Sequence, residues 1–360
     1  TSANLRYWQD VSSIFKTISE AGIPLQELDL AGNLEVNSKT LAQASRLFGT
    51  SLDSIVLSGC QTIDKIALAF IGGMANLHSL DLSDIKHITD DDIERLIDKD
   101  LMHLHTLNVS GCRALTNRTL FAVGRTNHRF RSLSCAKNLN YTYEGVNDVM
   151  LKCESLVKFD LAFCPGVKHF GVIMHVGDAE HNIMQFAGRP LKVLKLNEVA
   201  DLSPESLDYI SGALDALTEV SLPRMKNLSD AMVQGIICGC FFLKSLHIPG
   251  CKNVKSEALK TIGRSARVLY DLNIANIGKF SPASLREMLS KCETLAFLNV
   301  SNNRGVTDKV FSEMEVPGSS GEAIFLPKMK RLSMANTSIT AFGVACMAER
   351  CANIEHLDVS

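Results

Sequence analysis

A short phrase of alternating apolar and polar residues recurs along this chain. One clean copy runs Leu104-His105-Thr106-Leu107-Asn108-Val109 and continues into Ser110-Gly111-Cys112. Copies start at Leu25, Leu52, Leu77, Leu104, Phe130, Leu156, Leu191, Leu217, Leu243, Leu269, Leu295, Met329 and Ile354. Ten of the twelve intervals span 25 to 27 residues, a fixed period in the range that marks a repeat array. The fourth and sixth positions are apolar and alternate with polar neighbours, which predicts a strand with one buried face.

The remainder of each repeat predicts a loop and a returning helix. After Cys112, Ala114-Leu115-Thr116-Asn117 forms the loop, and Leu120, Phe121, Val123 and Gly124 fit a helix of two to three turns. Thr116 or Asn117 would cap it, as Thr89-Asp90, Ser203-Pro204, Ser229-Asp230, Ser281-Pro282 and Thr307-Asp308 would cap others. Parallel strands stack about 4.8 Å apart whereas helices need roughly 10 Å. The predicted fold is therefore an α/β solenoid, a curved horseshoe with its parallel sheet on the concave face and helices on the convex face.

Residues 25–360 then hold about 13 repeats, the C-terminal one incomplete, and residues 1–24 form an N-terminal helix or cap. Leu5, Trp8, Val11, Phe15 and Ile18 fall on one helical face, placing Trp8 in the core. That helix is either a cap or part of an earlier repeat. Two intervals are long, with extra residues around Val176–Arg189 and the Gly/Ser-rich Val316–Gly321. Both are expected to be loops, the second mobile. The chain opens without Met and closes inside a strand phrase, so we expect a fragment, or an edge covered by another chain.

Hydrophobic residues make up 46% of the chain, ample for a continuous core, and the formal net charge is −2. Such a balance offers no basic field for nucleic acid or acidic lipid. No apolar run approaches membrane-spanning length, so a soluble chain is expected; its cysteine usage points to a reducing compartment, hence a cytoplasmic chain, with nuclear or ciliary placement as alternatives. The 11 cysteines fall mostly in two columns. Cys60, Cys112, Cys164 and Cys251 end the phrase, and Cys153, Cys240, Cys292 and Cys351 lie three residues before the next. Thiols at that period behave as small buried groups rather than disulfide partners.

The run Gly111-Cys112-Arg113-Ala114-Leu115-Thr116-Asn117 and the pair Lys291-Cys292 before Leu295 resemble the cysteine-containing subclass of leucine-rich repeats. The resemblance covers about residues 25–360. It implies non-catalytic protein recognition, as in the substrate-recognition arm of F-box/LRR ubiquitin-ligase receptors. The cullin adaptor would then be reached through sequence not present here, because residues 1–24 do not resemble an F-box. Similar repeats occur in scaffolds of large assemblies, including ciliary axonemes, which gives a structural-subunit alternative.

Catalytic, cofactor and metal sites are not expected. Cys238-Gly239-Cys240 with Cys251 lacks the spacing of a zinc site, and His169, His175 and His181, six apart, do not share a helical face. No nucleophile elbow or phosphate loop is present. A GTPase-activating role would need an exposed arginine such as Arg113 or Arg304. The polar positions of the phrase instead outline a concave strip. Glu27, Asp29, Asp53, Asp81 and Asp84 make its first repeats acidic, and Arg131, Lys137, Lys158, Lys192, Lys195 and Arg224 make the middle basic. With Phe163, His247, Tyr270 and Phe297 these ten basic and aromatic residues form the candidate partner-binding site. Small seventh-position residues, among them Ser58, Ser83, Ser110 and Ala136, would leave a shallow track along it.

Overall fold

Among the described residues the apolar phrases become three-residue parallel strands, most of them followed by a loop and a helix. The computed structural model describes residues 1–126, 129–171, 189–199, 202–313 and 326–360. The expected loops lie almost wholly outside the described residues. Two compact units divide the chain, Thr1–Val167 and Lys168–Ser360.

In the first unit the strands are β1 (Ser2–Asn4), β2 (Glu27–Asp29), β3 (Ser54–Val56), β4 (Ser79–Asp81), β5 (Thr106–Asn108), β6 (Ser132–Ser134) and β7 (Lys158–Asp160). Each pairs in parallel with the next, and the register never slips: Leu28 faces Ile55, then Leu80, Leu107, Leu133 and Phe159 in turn. All six side chains of this column are buried, each stabilising the stack by roughly 1.5–3 kcal/mol. Helices α1 (Val11–Glu20), α2 (Ser38–Phe48), α3 (Lys65–Gly72), α4 (Asp90–Arg95), α5 (Asn117–Arg125) and α6 (Tyr143–Lys152) close over them, with a π-helical turn, Leu96–Asp100, after α4.

The second unit repeats the pattern with β8 (Val193–Lys195), β9 (Glu219–Ser221), β10 (Ser245–His247), β11 (Asp271–Asn273), β12 (Phe297–Asn299), β13 (Arg331–Ser333) and β14 (His356–Asp358). Its helices are α7 (Pro204–Ala213), α8 (Asp230–Gly239), α9 (Ser256–Ser265), α10 (Pro282–Lys291), α11 (Lys309–Ser312) and α12 (Ala341–Arg350). Ser203, Ser229 and Ser281 cap their helices through side-chain oxygens as expected. Asp308 does not: its carboxylate accepts from the backbone and hydroxyl of Thr340 instead.

The cysteine column is a hydrogen-bond column. Cys60, Cys112, Cys164 and Cys251 each donate a thiol proton to the sixth-position carbonyl of the preceding repeat, at 3.1–3.2 Å. Where asparagine replaces cysteine, the amide also reaches back into the preceding repeat, at the sixth-position carbonyl for Asn303 and further along the loop for Asn138. Asn138 Nδ2 reaches Cys112 O and Leu115 O, and Asn303 Nδ2 reaches Ile274 O.

Asn33 follows the same rule and reaches back to Leu5 O at 2.9 Å. With Ser2–Asn4 paired in register to Glu27–Asp29, residues 1–20 have the geometry of a further repeat. The amphipathic helix expected from residue 4 therefore begins only at Val11, behind Asp10 at φ 53°. Trp8 falls in the turn between strand and helix and is 59% exposed, not core.

A second rule governs the eighth phrase position. From Gly32 to Asn336, every repeat with a described eighth residue places it in the left-handed region, φ 51° to 78°. Glycine, asparagine or aspartate fills most of these places, as steric crowding demands. Lys137, Phe163, Glu198 and Arg224 are exceptions, each held at a cost of roughly 1–2 kcal/mol.

Candidate partner-binding surface

Alternation sends the fourth and sixth phrase residues into the core, so the third and fifth stand on the open face of the sheet. The second residue joins them at the strand entry, where successive backbones are linked: Lys244 N donates to Thr218 O and Tyr270 N to Lys244 O, both at 2.8 Å.

In the first unit, Arg131, Lys137 and Phe163 are exposed and Lys158 is half-buried. Lys137 Nζ lies 3.7 Å from Asp84, so it is not the free cation that the sequence suggested. The expected acidic edge is partly occupied as well. Asn108 Nδ2 bonds Asp81, and Asp53 Oδ1 lies 2.8 Å from His78 Nδ1, close but off the hydrogen-bond direction. His105 stacks on His78 with 5.2 Å between ring centres. Burial, then His78, then Arg131 hold the His105 imidazole below its ordinary value. The small seventh residues serve the turn: Ser83 is buried and bonds Ser58 and Asp81, so the shallow track is largely filled by its own hydrogen bonds there.

In the second unit, Lys195, His247, Tyr270 and Phe297 line one depression of about 390 Å3. Lys192 is exposed beside β8, and Arg224 stands apart, paired with Glu198 at 2.7 Å. Tyr270 packs edge-on against Phe297, ring centres 4.9 Å apart, and Arg331 covers the other side of Phe297 at 5.4 Å. Tyr270 remains 42% exposed.

Ser245, His247 and Asp271 also meet in this depression, yet they do not form a hydrolytic triad. Both Ser245 Oγ (3.3 Å) and Asp271 Oδ2 (2.8 Å) approach the same imidazole atom, Nε2. A triad needs one ring nitrogen for the nucleophile and the other for the acid. Here the carboxylate instead orients the imidazole as part of the surface. Among the described residues no group of three or more His, Cys, Asp and Glu could hold a metal ion. Cys240 and Cys251 are occupied by backbone carbonyls. Arg113 and Arg304 are exposed loop residues. No helix among the described residues is long and apolar enough to cross a membrane.

Period-based reading named His247, Tyr270 and Phe297 but missed Arg331 and Asp271. The register sets Ser245, Asp271, Phe297 and Arg331 side by side. Asp271 and Arg331 are third-position residues of their phrases, and what ties them to the site is a contact with the neighbouring repeat, Asp271 with His247 and Arg331 with Phe297.

No protein-family model matches the chain. Solved structures do. Rad7, from the Rad7–Elc1 complex in yeast, is 14% identical with a TM-score of 0.63, over 92% of this chain and 85% of its own. Internalin InlF from Listeria monocytogenes is 16% identical with a TM-score of 0.51, over 90% and 83%. A chain of the TLR13–ssRNA13 complex is 17% identical with a TM-score of 0.52, over 88% of this chain and 44% of that one. The chain has the leucine-rich-repeat fold. At these identities the likeness concerns the fold alone.

Proposed function

We propose that this chain is a non-catalytic protein-recognition module whose partner docks on the open sheet face, above all in the second unit. The observation that supports this is the clustering of Lys195, His247, Tyr270 and Phe297 in one depression. Aromatic anchors flanked by charged groups are what a protein interface uses for affinity and register. Rad7 was solved with a protein partner, Elc1, which agrees with a partner-binding use of the fold. By resemblance, the finer reading is the substrate-recognition arm of an F-box-type ubiquitin ligase. A structural subunit of a large assembly is the alternative.

A photo-crosslinking residue at position 270, with a control at the exposed Phe342 on α12, tests the docking face. Crosslinks from position 270 to a partner that also co-purifies support the reading. Crosslinks only from position 342 refute it. Co-purification of a cullin adaptor, as against tubulin and dynein components, separates the ligase from the structural role.

A further inference from the structure

The chemistry of the partner can be read from the charge left unpaired around the depression. Lys192, Lys195, Lys244 and Arg331 have no ion-pair partner among the described residues, whereas Glu355 is paired with Lys330 and Asp271 is hydrogen-bonded to His247, a cation only when protonated; four free cations still outnumber the lining carboxylates Glu219 and Asp271. The face thus carries a cationic surplus interrupted by an aromatic pair. We propose, resting on the reading above, that this face binds an extended acidic peptide segment carrying one apolar side chain, which seats on Tyr270 and Phe297.

The strand spacing sets the length of that segment. From the strand of Lys195 to that of Arg331 there are five steps, about 24 Å at 4.8 Å each, which an extended peptide crosses in about seven residues. Carboxylates toward one end would meet Lys195 and Lys244, the apolar residue would reach the Tyr270–Phe297 pair, and a last carboxylate would meet Arg331. Nucleic acid suits the face less well. Glu219 and Asp271 interrupt the phosphate track, and edge-to-face packing leaves no run of parallel ring faces on which successive bases could stack.

Fluorescence anisotropy on the full chain tests this with a labelled ten-residue Asp/Glu-rich peptide holding a central leucine. Its counterparts are the same peptide with Gln for each acid, the acidic peptide with Ser for leucine, and a uridine oligonucleotide. The acidic leucine peptide should bind best. Lys195→Glu with Lys244→Glu should weaken it about tenfold at low salt, less at high salt. Tyr270→Ser should weaken it without changing the salt dependence, and Lys39→Glu on α2 should do nothing. Equal binding of the neutral peptide, binding of the oligonucleotide alone, or no binding to the wild-type chain would overturn the proposal. Crosslinks from position 270 that persist in the double lysine variant would overturn the acidic partner yet leave the docking face standing.

Discussion

Replacing Gly32 by alanine isolates the cost of a single backbone angle. Gly32 sits at φ 68°, and an added Cβ meets no heavy atom within 4 Å. Crowding within an L-residue at that angle costs roughly 1–2 kcal/mol. Alanine also removes freedom from the unfolded chain, which offsets about 0.4–1 kcal/mol of the loss. The expected destabilisation is therefore about 0.5–1.5 kcal/mol. Gly111→Ala shares the angle, φ 74°, but its Cβ would run into the Asp84 carboxylate and lie 3.3 Å from Asp84 Cα. Asp84 must then leave Lys137, adding about 1 kcal/mol, the low end of an overpacking penalty. Lys137→Gly reverses the logic. Relief of about 1–2 kcal/mol exceeds both the freedom glycine must give up and an exposed ion pair, so this variant should gain on the order of 0.5 kcal/mol. Urea unfolding followed by circular dichroism, compared at constant m-value, reads all three. A Gly32→Ala chain as stable as wild type, or a Lys137→Gly chain clearly weaker, would refute strain in the left-handed row.

Other outcomes follow from the same structure. Leu107→Ala opens a cavity in a fully packed column and should cost about 2–5 kcal/mol; an equally stable variant would mean that the strand faces are reversed. Asn138→Leu removes both amide bonds into the preceding repeat and leaves Asn140 N without its acceptor, which should cost about 1–3 kcal/mol, whereas Asn138→Cys should lose less; denaturation midpoints in the opposite order would reject the ladder. Burial pushes the thiols of Cys112 and Cys292 up to about 12 and those of Cys164, Cys240, Cys251 and Cys351 to about 11. The unfolded chain gives up these protons first, so their contribution is complete below pH 9 and lost as pH climbs through 9 towards 11–12. A melting temperature that does not fall between pH 8 and pH 10 contradicts this. Charge reversal at Lys192 and Lys195 together should weaken capture of the partner while thermal stability is kept; the opposite result removes these two lysines from the interface.

The repeat made most of the core legible, because burial at the fourth and sixth positions follows from period alone. Leu28, Leu107 and Leu272 needed no more than counting. Trp8 was misplaced because a strand of only three residues, Ser2–Asn4, carries too weak a pattern to displace a helical one. Lys137 and Arg224 could be named as exposed cations, yet their pairing with Asp84, two repeats back, and Glu198, one repeat back, depends on contacts between repeats, which one phrase read by itself does not contain. The same holds for Arg331 over Phe297 and for Asp271 with His247. Lys137, Phe163, Glu198 and Arg224 offered a signal that was passed over. Aligned by phrase they occupy a column otherwise rich in Gly and Asn, and that composition alone marks a left-handed backbone.

The thiol and amide column has a direction that the sheet lacks. Backbone bonds run both ways between neighbouring strands, since Ser54 N donates to Gln26 O while Leu30 N donates to Val56 O. In the first unit the donating thiols and amides of this column reach towards the amino terminus. Trimming the first unit from its two ends is therefore not equivalent. Loss of a later repeat removes a donor together with the repeat that carries it, but loss of residues 1–8 takes away both acceptors of the Asn33 amide, Leu5 O and Trp8 O, and leaves the donor behind, so erosion from the front should be the more damaging.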